Sequence, residues 1–117
     1  MSGRAGKLRR NEQFREVLGN GRAVVHGLAV IYVLHREGPR LAGVTVPRRF
    51  GAAVARNRVR RLFWEAYRAS ERALVDDCRI VMIPRPRARG QRYAAILNSL
   101  GGLFRRADLY REETGIS

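Results

Sequence analysis

Apolar residues along the chain change their spacing several times, and each change marks an element. Phe14, Val17 and Leu18 recur at i, i+3 and i+4, one face of a helix. Asn11 ahead of them is a candidate N-cap and Gly19 and Gly21 are candidate stops, which predicts a short helix over residues 12–18. The pattern then turns to strands. Residues 22–25 predict a short one broken at Gly27, and the run LAVIYVL at 28–34 predicts a buried one. Glu37-Gly38-Pro39 is a turn, and 41–46 returns as the next strand, so 28–34 and 41–46 read as an antiparallel hairpin. A loop, Pro47-Arg48-Arg49-Phe50-Gly51, feeds a long helix over 53–74. A further strand over 79–83 stops at Pro84, and the proline- and arginine-rich stretch 84–90 is a basic loop. Ile96, Leu97, Leu100, Leu103 and Phe104 form the stripe of a last helix, Tyr93–Arg106, with Gly101-Gly102 weakening its middle. The order α-β-β-β-α-β-α predicts an α+β two-layer sandwich, helices packed on one sheet.

The long helix divides cleanly by angle, at about 100° per residue. Ala55, Val59, Leu62, Phe63, Ala66 and Ala69 fall on a core face. Asn57, Arg61, Trp64 and Arg68 fall opposite, flanked by Arg58 and Glu65 on one side and Arg60 on the other. A solvated face with an Arg61–Glu65 ion pair is the plain structural account, worth only tenths of a kcal/mol. One carboxylate cannot neutralise the arginines at 56, 58, 60, 61 and 68, however. Trp64 has two readings: an aromatic among guanidinium groups for base stacking, or a side chain packed under a neighbouring loop.

Composition sharpens this picture. The 117 residues suit one domain, 1–117, with a basic stretch 1–10 and a tail 111–117 expected to be loose; an apolar fraction of 45% is enough for a core. Twenty-four basic against ten acidic residues give a net charge of +14, which calls for a polyanionic partner. Lys7 is the only lysine. Codon bias in a GC-rich genome explains that, and so does a use of guanidinium for bidentate phosphate contacts. No stretch approaches the roughly 18 apolar residues of a membrane span. No apolar h-region follows Met1-Ser2-Gly3-Arg4, and the single Cys78 fits a reducing compartment, so a cytoplasmic protein without a membrane partner is expected. Cys78 itself lies in an apolar run and reads as a core residue.

Catalytic groups are sparse. His26 and His35 have no cysteine or carboxylate at metal-ligand spacing, so neither catalytic nor metal-binding residues are expected. Asp76-Asp77 precedes a strand, where turn chemistry accounts for it better than a metal-dependent nuclease site. Arg48-Arg49-Phe50-Gly51 lacks the spacing and the Lys-Ser/Thr end of a phosphate loop.

The run Arg48-Arg49-Phe50-Gly51-Ala52-Ala53-Val54-Ala55-Arg56-Asn57-Arg58-Val59-Arg60-Arg61-Leu62-Phe63 resembles the bacterial ribonuclease P protein family. Leu8-Arg9-Arg10-Asn11-Glu12-Gln13-Phe14 is similar to that family's opening helix, and Leu103-Phe104-Arg105-Arg106 with Leu109-Tyr110 to its close. The resemblance implies a left-handed βαβ crossover. It also implies a subunit of the endoribonuclease that removes the 5′ leader of precursor tRNA, with chemistry carried by a magnesium-using catalytic RNA. That RNA and precursor tRNA would be the partners, one protein per RNA. Arg48, Arg49, Arg56, Asn57, Arg58, Arg60, Arg61, Trp64 and Arg68 would meet RNA. Arg9, Phe14 and Tyr32, with Asn57, Arg61 and Arg68 along the rim, would form a cleft for the single-stranded leader. The chain departs from the family's pattern at Pro47, Ala52, Trp64 and Leu18, where Ser, Asn, Arg and an aromatic are usual. A general RNA-binding protein and an autonomous nuclease using Asp76-Asp77 are the competing readings.

Overall fold

The computed structural model describes residues 6–112. Its strands are β1 (Gly6–Lys7), β2 (Arg22–His26), β3 (Ala29–His35), β4 (Leu41–Val44) and β5 (Cys78–Pro84); its helices are α1 (Asn11–Asn20), α2 (Ala53–Ser70) and α3 (Tyr93–Arg106). The expected α+β order is present, preceded by one added strand. One sheet runs β1-β4-β5-β3-β2.

β5 sits at the centre of the sheet because it is the strand with buried residues facing both ways. Ile80 and Met82 point into one core, and Val81 between them points into the other. β3 pairs with β5 antiparallel and β4 pairs with it parallel. The expected hairpin of residues 28–34 with 41–46 is therefore corrected: β5 lies between the two strands. The turn after β3 makes a different partnership. Arg36 N–H donates to Asp77 O at 3.0 Å, and Asp77 N–H donates to Gly38 O at 2.9 Å. Gly38 N–H donates to the Asp77 carboxylate at 2.8 Å. This exchange seats the start of β5 where the second hairpin strand would have gone. Asp77 has φ 60°, so the Asp76-Asp77 pair does turn work.

α2 and α3 cover one face. Val59, Leu62, Phe63 and Ala66 of α2 and Ile96, Leu100, Leu103 and Phe104 of α3 join Ile31, Ile80 and Met82 in the larger core. Cys78 is fully buried there. α1 lies across the other face, its Val17 packed with Leu8 and Val81.

Several boundaries move. Gln13 Oε1 accepts N–H bonds from Arg9 (2.7 Å) and Arg10 (3.0 Å), so α1 begins at Asn11 rather than being capped by it. Gly19 lies inside α1, which ends at Asn20 with Gly21 as C-cap. α2 stops at Ser70, and Glu71–Ala73 is a 3₁₀ turn. Tyr67, not Ala69, completes its core face: Tyr67 is buried and Ala69 exposed. Another 3₁₀ turn, Pro86–Ala88, interrupts the basic loop and buries Ala88. Of the ends expected to be loose, Gly6 and Lys7 pair in parallel with Leu41 and Ala42. Arg111 N–H donates to Ala73 O at 2.8 Å. Residues 1–5 and 113–117 lie outside the described residues.

Candidate nucleic-acid interface

Three arginines of α2 are held by neutral acceptors. Arg56 Nη1 donates to Gly51 O at 2.8 Å, Arg58 Nη2 to Gln91 O at 3.0 Å, and Arg60 Nη1 to Asn57 Oδ1 at 3.0 Å. A carbonyl acceptor fixes a guanidinium in place without cancelling its charge. Arg61 and Arg68 are exposed and have no hydrogen-bond or ionic partner among the described residues. Among the described residues the ion pairs join Arg10–Glu12, Arg36–Glu16, Arg79–Glu16, Arg40–Asp76 and Arg111–Asp76. None involves α2, and the considered Arg61–Glu65 pair is not among them. The helix thus presents a positive face whose charge is not cancelled within the described residues.

The entry to α2 extends that face. Phe50 is buried, which anchors the 3₁₀ turn Arg48–Phe50 and leaves Arg48 and Arg49 exposed. The basic loop after β5 arrives here as well. A Cβ on Gly51, whose φ is 155°, would stand 3.2 Å from Arg89 Nη1, so Arg89 and Arg56 both crowd Gly51. Arg49 and Arg85 flank a slot of about 190 Å³ floored by Val30, Phe50 and Ile83. Arg85 and Arg89 were not among the expected site residues. The basic loop was the available signal, but nothing in the sequence placed it beside α2.

Phe14 and Tyr32 come together on the sheet face that α1 crosses, both half-buried against the core of Leu8, Val17 and Val81. Gly43 makes this possible, since a Cβ there would fall 2.4 Å from Phe14 Cζ. Asn57, Arg61 and Arg68 stand on α2, against the opposite face. Edge strand β1 runs between the face of Phe14 and Tyr32 and α2. Lys7 of that strand reaches Trp64, its Nζ 4.6 Å from the ring centroid, while Leu8 turns into the Phe14 core. Arg9 follows, exposed, at the start of α1. Trp64 is only half-exposed, with Tyr67 edge-on at 5.8 Å and 83°. Both of its readings thus have a footing: it is packed, and it is still reachable.

Sequence reasoning missed Arg40, which is 3% exposed. Its Nε donates to Tyr67 Oη at 2.8 Å, its Nη1 to Leu74 O (2.8 Å) and Val75 O (2.9 Å), and its Nη2 to Glu71 O (2.7 Å). These carbonyls lie in the turn that follows α2, where Glu71 O also accepts the Leu74 N–H at 3.2 Å. Arg40 therefore sets where the Trp64–Arg68 end of the helix lies. Burial raises the Tyr67 hydroxyl above its ordinary value of 10.0, against the lowering effect of Arg40, so it stays protonated.

The described residues contain no group of three or more His, Cys, Asp or Glu side chains that could hold a metal ion, and no helix long and apolar enough to cross a membrane.

Known proteins resemble this chain in sequence and in fold. The profile of the ribonuclease P family matches residues 3–108. The ribonuclease P protein component of Clostridium kluyveri is 32% identical over 108 residues, covering 90% of this chain and 96% of that protein. That of Alkaliphilus metalliredigens is 36% identical over 105 residues, covering 88% and 94%. Among solved structures, a Staphylococcus aureus RNase P protein superposes with TM-score 0.77 at 22% identity, covering 90% of this chain and 97% of that one. The Thermotoga maritima RNase P protein gives 0.77 at 23%, covering 86% and 96%. At those identities the structures speak for the fold.

Proposed function

This chain belongs to the ribonuclease P protein family, and from that premise we propose that it binds the catalytic RNA of that tRNA-processing enzyme through the arginine face of α2. The observation that carries the reading is the uncancelled charge: Arg56, Arg58 and Arg60 are pinned by neutral acceptors, and Arg61 and Arg68 pair with no carboxylate among the described residues. Polyanion binding releases condensed counterions, so such a face has its largest effect on a phosphate backbone.

The sheet face at Phe14 and Tyr32, with Arg9 beside it, takes the single-stranded 5′ leader of precursor tRNA. Half-buried aromatic rings offer stacking without demanding a sequence. Arg48, Arg49, Arg85 and Arg89 lie between the leader and the catalytic RNA and neutralise phosphates of both. Endonucleolytic leader removal follows on the RNA, which holds the magnesium; the chain's own residues bind and orient. One protein serves each RNA, in the cytoplasm.

Reconstitution with a bacterial ribonuclease P RNA tests this. At low magnesium the protein is expected to stimulate leader removal and to bind precursor tRNA complexes more tightly than mature ones. Absence of stimulation would sink the assignment. Cleavage by the protein alone with magnesium or manganese would favour an autonomous nuclease instead.

A further inference from the structure

At the far end of the arginine face, Lys7, Trp64, Arg68 and Glu71 meet around a cavity of about 210 Å³ closed by Gly6 and Tyr67. Trp64 is held at a fixed angle by the edge-on Tyr67 ring. The Lys7 ammonium rests over the indole. A π-face that attracts a cation also accepts a nucleobase, and the lysine stem is long and exposed enough to swing aside. Glu71 supplies a second, independent observation. Its cavity neighbours include Lys7 and Arg68, yet none of the ion pairs among the described residues includes it. In a chain of net charge +14, this carboxylate is left free to accept hydrogen bonds from elsewhere.

We propose that this cavity binds one unpaired guanine of the partner RNA, stacked on Trp64, its Watson–Crick edge on the Glu71 carboxylate and its phosphate on Lys7 and Arg68. The match is one of donors to acceptors. A carboxylate offers acceptors only. Guanine is the one base of the four with two adjacent N–H donors on that edge, the ring N1–H and the amino group. Adenine and cytosine set a donor beside an acceptor, and uracil flanks one donor with two acceptors, so each turns a lone pair toward the carboxylate. The proposal rests on the RNA-binding reading of α2 and narrows it to one nucleotide.

Trp64 is the only tryptophan, so its fluorescence reports on this cavity alone. The full chain is titrated with end-labelled UUGUU, UUAUU, UUCUU and UUUUU, following tryptophan emission and label anisotropy together. UUGUU is expected to quench Trp64 and to bind about tenfold more tightly than the others. Glu71→Gln should bring UUGUU down to their level, and Trp64→Leu should do the same. Should Trp64→Leu fail to fold, Glu71→Gln decides alone, because it keeps the side chain's size and the backbone carbonyl that Arg40 uses. Equal affinities for all four strands, or guanine binding that leaves Trp64 emission unchanged, would overturn the site while leaving RNA binding intact. Failure of every strand to bind would overturn the RNA reading together with it.

Discussion

Arg40 Nε donates a 2.8 Å hydrogen bond to the Tyr67 hydroxyl, and both side chains are almost wholly buried. Through this pair the residue just before β4 grips the helix whose outer side carries Trp64 and Arg68. A buried guanidinium is tolerated because four oxygen acceptors surround it, with Asp76 at 3.8 Å as its nearest carboxylate. Replacing Arg40 by Met takes the guanidinium donors away from the carbonyls of Leu74 and Val75 and leaves Glu71 O with the Leu74 N–H alone, at 3.2 Å. The expected loss is about 3 kcal/mol, read as a lower urea midpoint, with Tyr67→Phe alone costing about 1 kcal/mol. An unchanged midpoint in the Met variant would show that the network contributes nothing.

Gly43 is where Phe14 lies on the sheet. An added methyl would overlap Phe14 Cζ at 2.4 Å, so Gly43→Ala must push the ring off β4. A destabilisation of about 1–3 kcal/mol is expected. Adding Phe14→Leu should recover part of it in a double-mutant cycle, and strict additivity of the two changes would refute the contact.

Arg61 and Arg58 should separate binding from folding. Arg61 has no partner among the described residues, so Arg61→Ala should leave the melting temperature in place and reduce the slope of log K against log salt by about one phosphate contact. Arg58 donates to Gln91 O, so Arg58→Ala should lower both affinity and stability, the latter by about 1 kcal/mol. An unchanged salt slope for Arg61→Ala would remove that residue from the interface.

Burial pushes the Cys78 thiol up to about 11 from its ordinary 9.0, against the lowering effect of nearby Arg40. The folded state therefore holds its proton to higher pH than the unfolded state does. The resulting stability is full below about pH 9 and is lost as pH rises toward about 11. Tyr67, also raised, acts in the same direction, so Cys78→Ala should flatten the alkaline decline only in part. Thiol labelling at pH 8 should be slow in the native protein and fast in urea. Rapid native labelling would contradict the burial.

Local pattern was sufficient wherever one element decided its own shape. The helix Tyr93–Arg106 follows from its apolar stripe, and β2, β3 and β5 follow from β-branched runs closed by turn residues, because periodicity of 3.6 or 2 is a property of neighbours along the chain. The arginine face of α2 was legible for the same reason, as helical angle alone sets Asn57, Arg61 and Arg68 apart from Val59, Leu62 and Phe63. Partners were not legible. The turn at Glu37-Gly38-Pro39 looked like a hairpin, yet its backbone bonds go to Asp77, and β5 takes the centre, with Ile80 and Met82 buried in one core and Val81 in the other. Gly6 and Lys7 carry no strand signal and become β1 by docking on β4. Arg40 reads as one more basic residue until Tyr67 and the end of α2 close over it. The sequence by itself determined the helices, the strands β2 to β5 and the charge that seeks RNA. Only the tertiary structure decided which strands pair, which arginine is buried, and that Lys7 and Glu71 meet at Trp64, since those depend on contacts between residues far apart in the chain.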